Sequence, residues 1–121
     1  MNAREYGRLA EAAAAEFLAA QGYQLVAANY RCRAGEVDLI AWDGPILVFV
    51  EVKARRRDQT GAPVEAIDAR KLRHLRAVAG HYLAKHFRRD QPPCRFDAVL
   101  ATPGAGGVRS PGGLSLIRGI A

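Results

Sequence analysis

From Ala3 to Gln21 the chain is rich in alanine, free of proline, and apolar at steps of three and four residues: Tyr6, Leu9, Ala13, Phe17 and Ala20. This spacing predicts an amphipathic helix whose stripe faces a core, stopped by Gly22. The period then shortens to two. Tyr23 to Tyr30 reads as a short strand, and Gly35 to Ala41 (GEVDLIA) and Ile46 to Ala54 (ILVFVEVKA) as two more, the last pair joined in a hairpin by Trp42-Asp43-Gly44-Pro45. A polar loop, Arg55 to Pro63, ends the third strand. From Val64 to Phe87 the helical period returns, with Leu72, Leu75, Ala79, Tyr82 and Leu83 on one face and Lys71, His74, His81 and Lys85 on another. Gln91-Pro92-Pro93 breaks this helix, and Arg95 to Ala101 (RFDAVLA) is a strand. Six of the twelve glycines then fall between Gly104 and Gly119, which predicts a loose loop before a weak edge strand at Leu114 to Arg118. Helix, three strands, helix, strand, strand is the order of an α/β fold. With no internal repeat and no linker, residues 1–121 read as one domain with a core of about 3–101.

Composition narrows the class. Half of the 121 residues are apolar and 25% are charged, so the chain can bury a core and is no low-complexity polymer. The longest strongly apolar run, Ile46 to Val50, is far short of the ~20 residues of a membrane-spanning helix. No basic stretch followed by an apolar one opens the chain, so no secretory signal is read and a cytoplasmic location is expected. Cys32 and Cys94 lie far apart without CxxC spacing, which fits reduced thiols better than a disulfide or a zinc site.

The charge is uneven. The formal net charge is +6, yet between Lys53 and Arg95 twelve Lys/Arg face four Asp/Glu, a local +8, while the remaining six basic and eight acidic residues come to −2. Such a patch points to a polyanion such as nucleic acid, or to an anionic membrane surface; a merely solvated helix face and loop would carry the same charge.

Side chains alternate across a strand, so Leu47, Phe49, Glu51 and Lys53 share one face of the third strand and Val48, Val50 and Val52 the other. In the preceding strand Glu36, Asp38 and Ile40 share a face, opposite Val37 and Leu39. A hairpin turning near Asp43-Gly44 brings Asp38 close to Glu51. Two carboxylates converging at strand ends suit a hard divalent cation, because Mg²⁺ takes one or two protein carboxylates and completes its shell with water and substrate phosphate. Lys53, on the same side, is placed to orient or help deprotonate an attacking water and to offset developing negative charge. Each residue alone reads more readily as a surface ion pair or a solvated acid. Their combination at the end of an apolar strand points to a site, since half-buried charges must be paired or coordinated.

Asp38 and, after twelve intervening residues, Glu51-Val52-Lys53 resemble the D…(D/E)xK core of the restriction-endonuclease-like nucleases, with Val37 where a proline often precedes the Asp. The blocks Gly7…Glu11, Gly22-Tyr23, Asn29-Tyr30-Arg31, Gly35 to Ala41, Val48 to Lys53, Lys71 and Arg95-Phe96-Asp97 are similar, in order, to the bacterial YraN family. Members of that family are regarded as predicted endonucleases distantly similar to archaeal Holliday junction resolvases. The resemblance runs from about Gly7 to Asp97. It implies an αβββαβ core with a mixed sheet flanked by helices, Asp38 and Glu51 as metal ligands for Mg²⁺ or Mn²⁺, Lys53 as the catalytic lysine, and Glu11 as an additional acidic residue of the site. Glu11 lies off the Tyr6/Leu9/Phe17 stripe, beside Ala14, Ala15 and Leu18, and Ala10 stands where the family often has glycine. Glu36 reads as a strand-entry or supporting residue.

In this reading the basic patch has a task. Arg55, Arg56 and Arg57 follow the catalytic strand, Arg31 and Arg33 precede the other, and with Lys71 they would hold phosphates without reading sequence. His74 and His81 have no third ligand spaced with them and read as solvated or phosphate-facing. Trp42 and Tyr30 read as packing residues before base-stacking ones. The expected function is a metal-dependent endonuclease hydrolysing phosphodiester bonds in DNA, branched or structured DNA included. Two alternatives stand beside it: a nucleic-acid-binding module of the same fold with little or no catalysis, and an adaptor whose basic helix docks an acidic protein. A junction-cleaving enzyme would want two active sites and hence a homodimer, for which the sequence holds no decisive signal.

Overall fold

The computed structural model describes residues 3–54, 68–101 and 113–121. Among them the elements follow in the expected order: helix α1 (Ala3–Ala20), strands β1 (Gln24–Cys32), β2 (Gly35–Asp43) and β3 (Ile46–Ala54), helix α2 (Ala69–His86), and strands β4 (Cys94–Ala101) and β5 (Leu114–Ile117). The strands form one mixed sheet in the order β1-β2-β3-β4-β5, antiparallel throughout except for the parallel pair β3 and β4. A parallel pair needs a crossover, and α2 supplies it. The β2–β3 hairpin is tighter than the sequence suggested, with Asp43 opposite Ile46. Gly44 takes a φ of +60°, a conformation glycine adopts without a Cβ clash and which the first position of a two-residue hairpin loop requires.

The sheet lies between the two helices. On one face α1 packs Ala14 and Leu18 against Leu39, Ala41, Val48, Val50 and Val99. On the other, α2 packs Leu75, Val78, Ala79 and Tyr82 against Val37, Ile40, Leu47 and Phe49. The alternation along β3 is therefore as expected. Tyr30 and Trp42 serve packing, edge-on to Tyr82 (ring centroids 5.2 Å apart) and Phe87 (6.1 Å). Among the described residues no helix is long and apolar enough to cross a membrane.

Three sequence expectations are corrected. The core side of α1 is Ala10, Ala13, Ala14 and Leu18, while Tyr6, Leu9 and Phe17 are half-buried and Ala20 is exposed. Alanines let the helix lie close on the sheet, which leaves the bulkier side chains at its flank. Helix α2 begins at Ala69, not Val64: Asp68 is extended, with ψ 179°, and its carboxylate accepts from the Lys71 N–H as an N-cap. In β2 the two-residue alternation breaks at Asp38, because Val37 joins Ile40 on the α2 side whereas Leu39 faces α1. Asn29 lies across from this break, between the Ala28–Leu39 and Tyr30–Val37 pairs. Its φ of +53° is the left-handed conformation that asparagine tolerates better than most residues. With that alternation lost, the Asp38 carboxylate reaches the Val52 N–H of β3.

Candidate active site

Pairing between β2 and β3 ends at Leu39 and Val50. Past that point the Asp38 carboxylate fills the place of a ladder partner, its Oδ2 accepting a 2.7 Å hydrogen bond from the Val52 N–H. Glu51, only 7% exposed, lies beside it, close enough for the two carboxyls to share a hydrogen bond. Lys71, from the first turn of α2, reaches over the pair and places its Nζ 3.0 Å from Glu51 Oε1. Lys53 is half-buried two residues along the same strand and acts electrostatically on Glu51. The residues that the sequence singled out on β2 and β3 are thus brought together where the strands part.

Burial and mutual repulsion set the electrostatics. Burial, then the Asp38 charge, push Glu51 up to about 7, against the pull of Lys71 and Lys53. Asp38 is also raised, mainly by burial, although the Val52 N–H and Lys71 oppose it. Glu11 of α1 belongs to the same field: burial, Asp38 and Glu36 raise it, and its Oε1 is buried with no hydrogen-bond partner among the described residues. Among those residues no three His, Cys, Asp or Glu side chains gather into a ready metal cage. The donor set is a carboxylate pair that is costly to ionise, with an orphaned carboxylate oxygen nearby. It fits an ion that keeps most of its shell for water and phosphate, as Mg²⁺ does.

Residues 10–101 match the family described as "Uncharacterised protein family UPF0102". The chain belongs to the UPF0102 family. A UPF0102 protein of Symbiobacterium thermophilum is 53% identical over 104 residues, 86% of this chain and 87% of that protein. UPF0102 proteins of Lachnoclostridium phytofermentans and Caldicellulosiruptor bescii are 45% and 40% identical over 100 and 99 residues, covering 83% and 82% of this chain and 85% and 83% of theirs.

In this UPF0102 chain the remaining candidates are dispersed. Arg31 is exposed and forms a 3.1 Å ion pair with Glu36, and Arg33 is exposed at the β1–β2 turn. Arg55, Arg56 and Arg57 lie outside the described residues. His74 and His81 are exposed on α2. Lys71, expected on a phosphate, pairs here with Glu51, a contact foreshadowed only by its place three residues after the helix cap.

A second polar cluster went unread. Asp97 is fully buried and accepts from Arg95 Nε at 2.8 Å, from the Tyr23 hydroxyl at 2.7 Å and from the Gly119 N–H at 3.0 Å. Arg95 also pairs with Asp43 at 2.7 Å. Although burial works against ionisation, the Arg95, Gly119 and Tyr23 donors hold Asp97 below the usual carboxylate range. The cluster ties the hairpin end, the start of β1 and the C-terminal segment to β4. The signal was an acid inside an apolar strand, which requires a partner, with an arginine two residues away on the same face.

Proposed function

We propose that this UPF0102 protein is a metal-dependent endonuclease that hydrolyses phosphodiester bonds in DNA. The observation that carries the reading is the convergence of Asp38, Glu51 and Lys53 where β2 and β3 part, with both carboxyls raised by burial. Asp38 and Glu51 would hold Mg²⁺ or Mn²⁺, which when bound supplies Lewis-acid activation of a water and neutralises charge on a phosphoryl oxygen. Lys53 contributes a fixed positive charge beside the reacting phosphate and orients the attacking water. The Val52 N–H holds the Asp38 carboxylate in place before substrate arrives. Arg31, Arg33 and the Arg55, Arg56, Arg57 run engage backbone phosphates. Branched or otherwise structured DNA is the substrate class implied by the resemblance, and a four-way junction would call for a two-fold dimer.

One observation favours a second reading. Lys71 already neutralises Glu51 at 3.0 Å, as it would in a nucleic-acid-binding module that keeps the fold without the chemistry. Labelled linear, flapped and four-way DNA incubated with and without Mg²⁺ or Mn²⁺ separates the two. Metal-dependent cleavage that falls at least ~100-fold in Asp38→Ala and in Glu51→Ala is expected, removal of a transition-state electrostatic contact being worth about that much. Salt-sensitive binding without cleavage of any substrate supports the binding module. Cleavage unchanged in both variants sinks the assigned roles.

A further inference from the structure

Arg4 and Arg8 stand one turn apart on α1, and Glu11 follows one turn later, so the three share a helix face. Across from them β1 presents Asn29 and Arg31. These side chains line an open cleft of about 440 Å³. A narrower continuation of about 240 Å³ shares Arg8, Glu11 and Asn29 and runs past Ala15 and Ala28 to Leu39, the neighbour of Asp38. The small alanines leave this space between helix and strand. The cleft therefore leads from three guanidiniums to Glu11, whose carboxyl feels the charge of Asp38.

We propose that this cleft holds a backbone phosphate of the DNA strand next to the one being cut, with Arg4 and Arg8 as its main contacts and Arg31 at the rim. The inference rests on the nuclease reading above. A guanidinium fork matches two phosphate oxygens at once, and forks from two different elements fix the position of a phosphate better than mobile lysines do. The ion pair with Glu36 holds Arg31 over the rim. Glu11 lines the inner part and repels an anion there, so the phosphate sits at the arginine mouth and not in the alanine-lined interior. Such a contact gives register: with one phosphate fixed at the mouth, its neighbour along the strand is presented to Asp38 and Glu51. It also places basic residues of α1 and β1 across the sheet from Lys71 of α2.

The test is binding of a fluorescent DNA flap substrate in EDTA, where no cleavage occurs, across about 50 to 200 mM salt. The double variant Arg4→Ala/Arg8→Ala is expected to bind about 10-fold more weakly, with a log–log salt slope shallower by about two. Arg88→Ala/Arg89→Ala removes the same charge from exposed positions beyond the far end of α2 and is expected to keep the wild-type slope. An Arg4/Arg8 variant with the wild-type slope, or an equal loss in the Arg88/Arg89 variant, overturns the inference. If metal-dependent cleavage by the wild type survives that result, the nuclease reading stands without this cleft. If the wild type neither binds nor cleaves, both fall.

Discussion

Glu51 is subject to opposing demands. Ionised, it repels Asp38 in a place water barely reaches; protonated, it gives up its ion pair with Lys71. Its carboxyl, raised from 4.5 to about 7 by burial and by Asp38, keeps in the folded state a proton that the unfolded chain has released at those pH values. Without metal, stability should therefore fall as pH rises through that window, by up to ~3 kcal/mol from this residue. Urea unfolding in EDTA at pH 5 and pH 8 checks this, with Glu51→Gln expected to flatten the difference. A pH dependence identical in wild type and variant would show that the pair is not strained. The acids themselves were legible in the sequence, because alternation along β3 and the hairpin turn bring Asp38 to Glu51. The Val52 N–H on Asp38 was not, since it depends on β2 losing its regular alternation at that residue.

Elements were easier to read than their orientation. Turn chemistry at Gly44 and the apolar run of β3 define the hairpin, and the helical period from Leu72 to Leu83 defines α2 with its packing face. The buried face of α1 differs from the periodic stripe because periodicity weighs large side chains, whereas close approach to the sheet selects the alanine face. That rotation is what turns Glu11 inward toward the carboxylates. At the other helix, the Asp68 cap sets where α2 begins and so where Lys71 emerges. Asp68→Ala should cost about 1 kcal/mol in thermal or urea unfolding. It should also lower the amount of Mn²⁺ needed for half-saturation, by loosening the turn that holds Lys71 on Glu51. A loss of stability with unchanged Mn²⁺ affinity would mean that Lys71 does not compete with metal.

For the whole molecule, charge distribution links fold to function. The sequence divides +6 into a +8 segment and a −2 remainder, and folding sets the acidic cluster between basic groups from α2 on one side and from α1 and β1 on the other. The Asp97 cluster lies on the α1 side of the sheet and serves the frame, joining Tyr23, Asp43, Arg95 and Gly119. Sequence blocks at these positions are equally prominent, so only their placement separates frame from site. The proposed site depends on Asp38 and Glu51 facing each other in order to share a divalent cation. Crystals soaked in Mn²⁺ and measured for anomalous scattering test this directly. A peak between the two carboxylates is expected, with Lys71 Nζ withdrawn from Glu51 and the peak lost in Glu51→Gln. A Lys71–Glu51 pair still in place at saturating Mn²⁺, with no peak between the carboxylates, would contradict it.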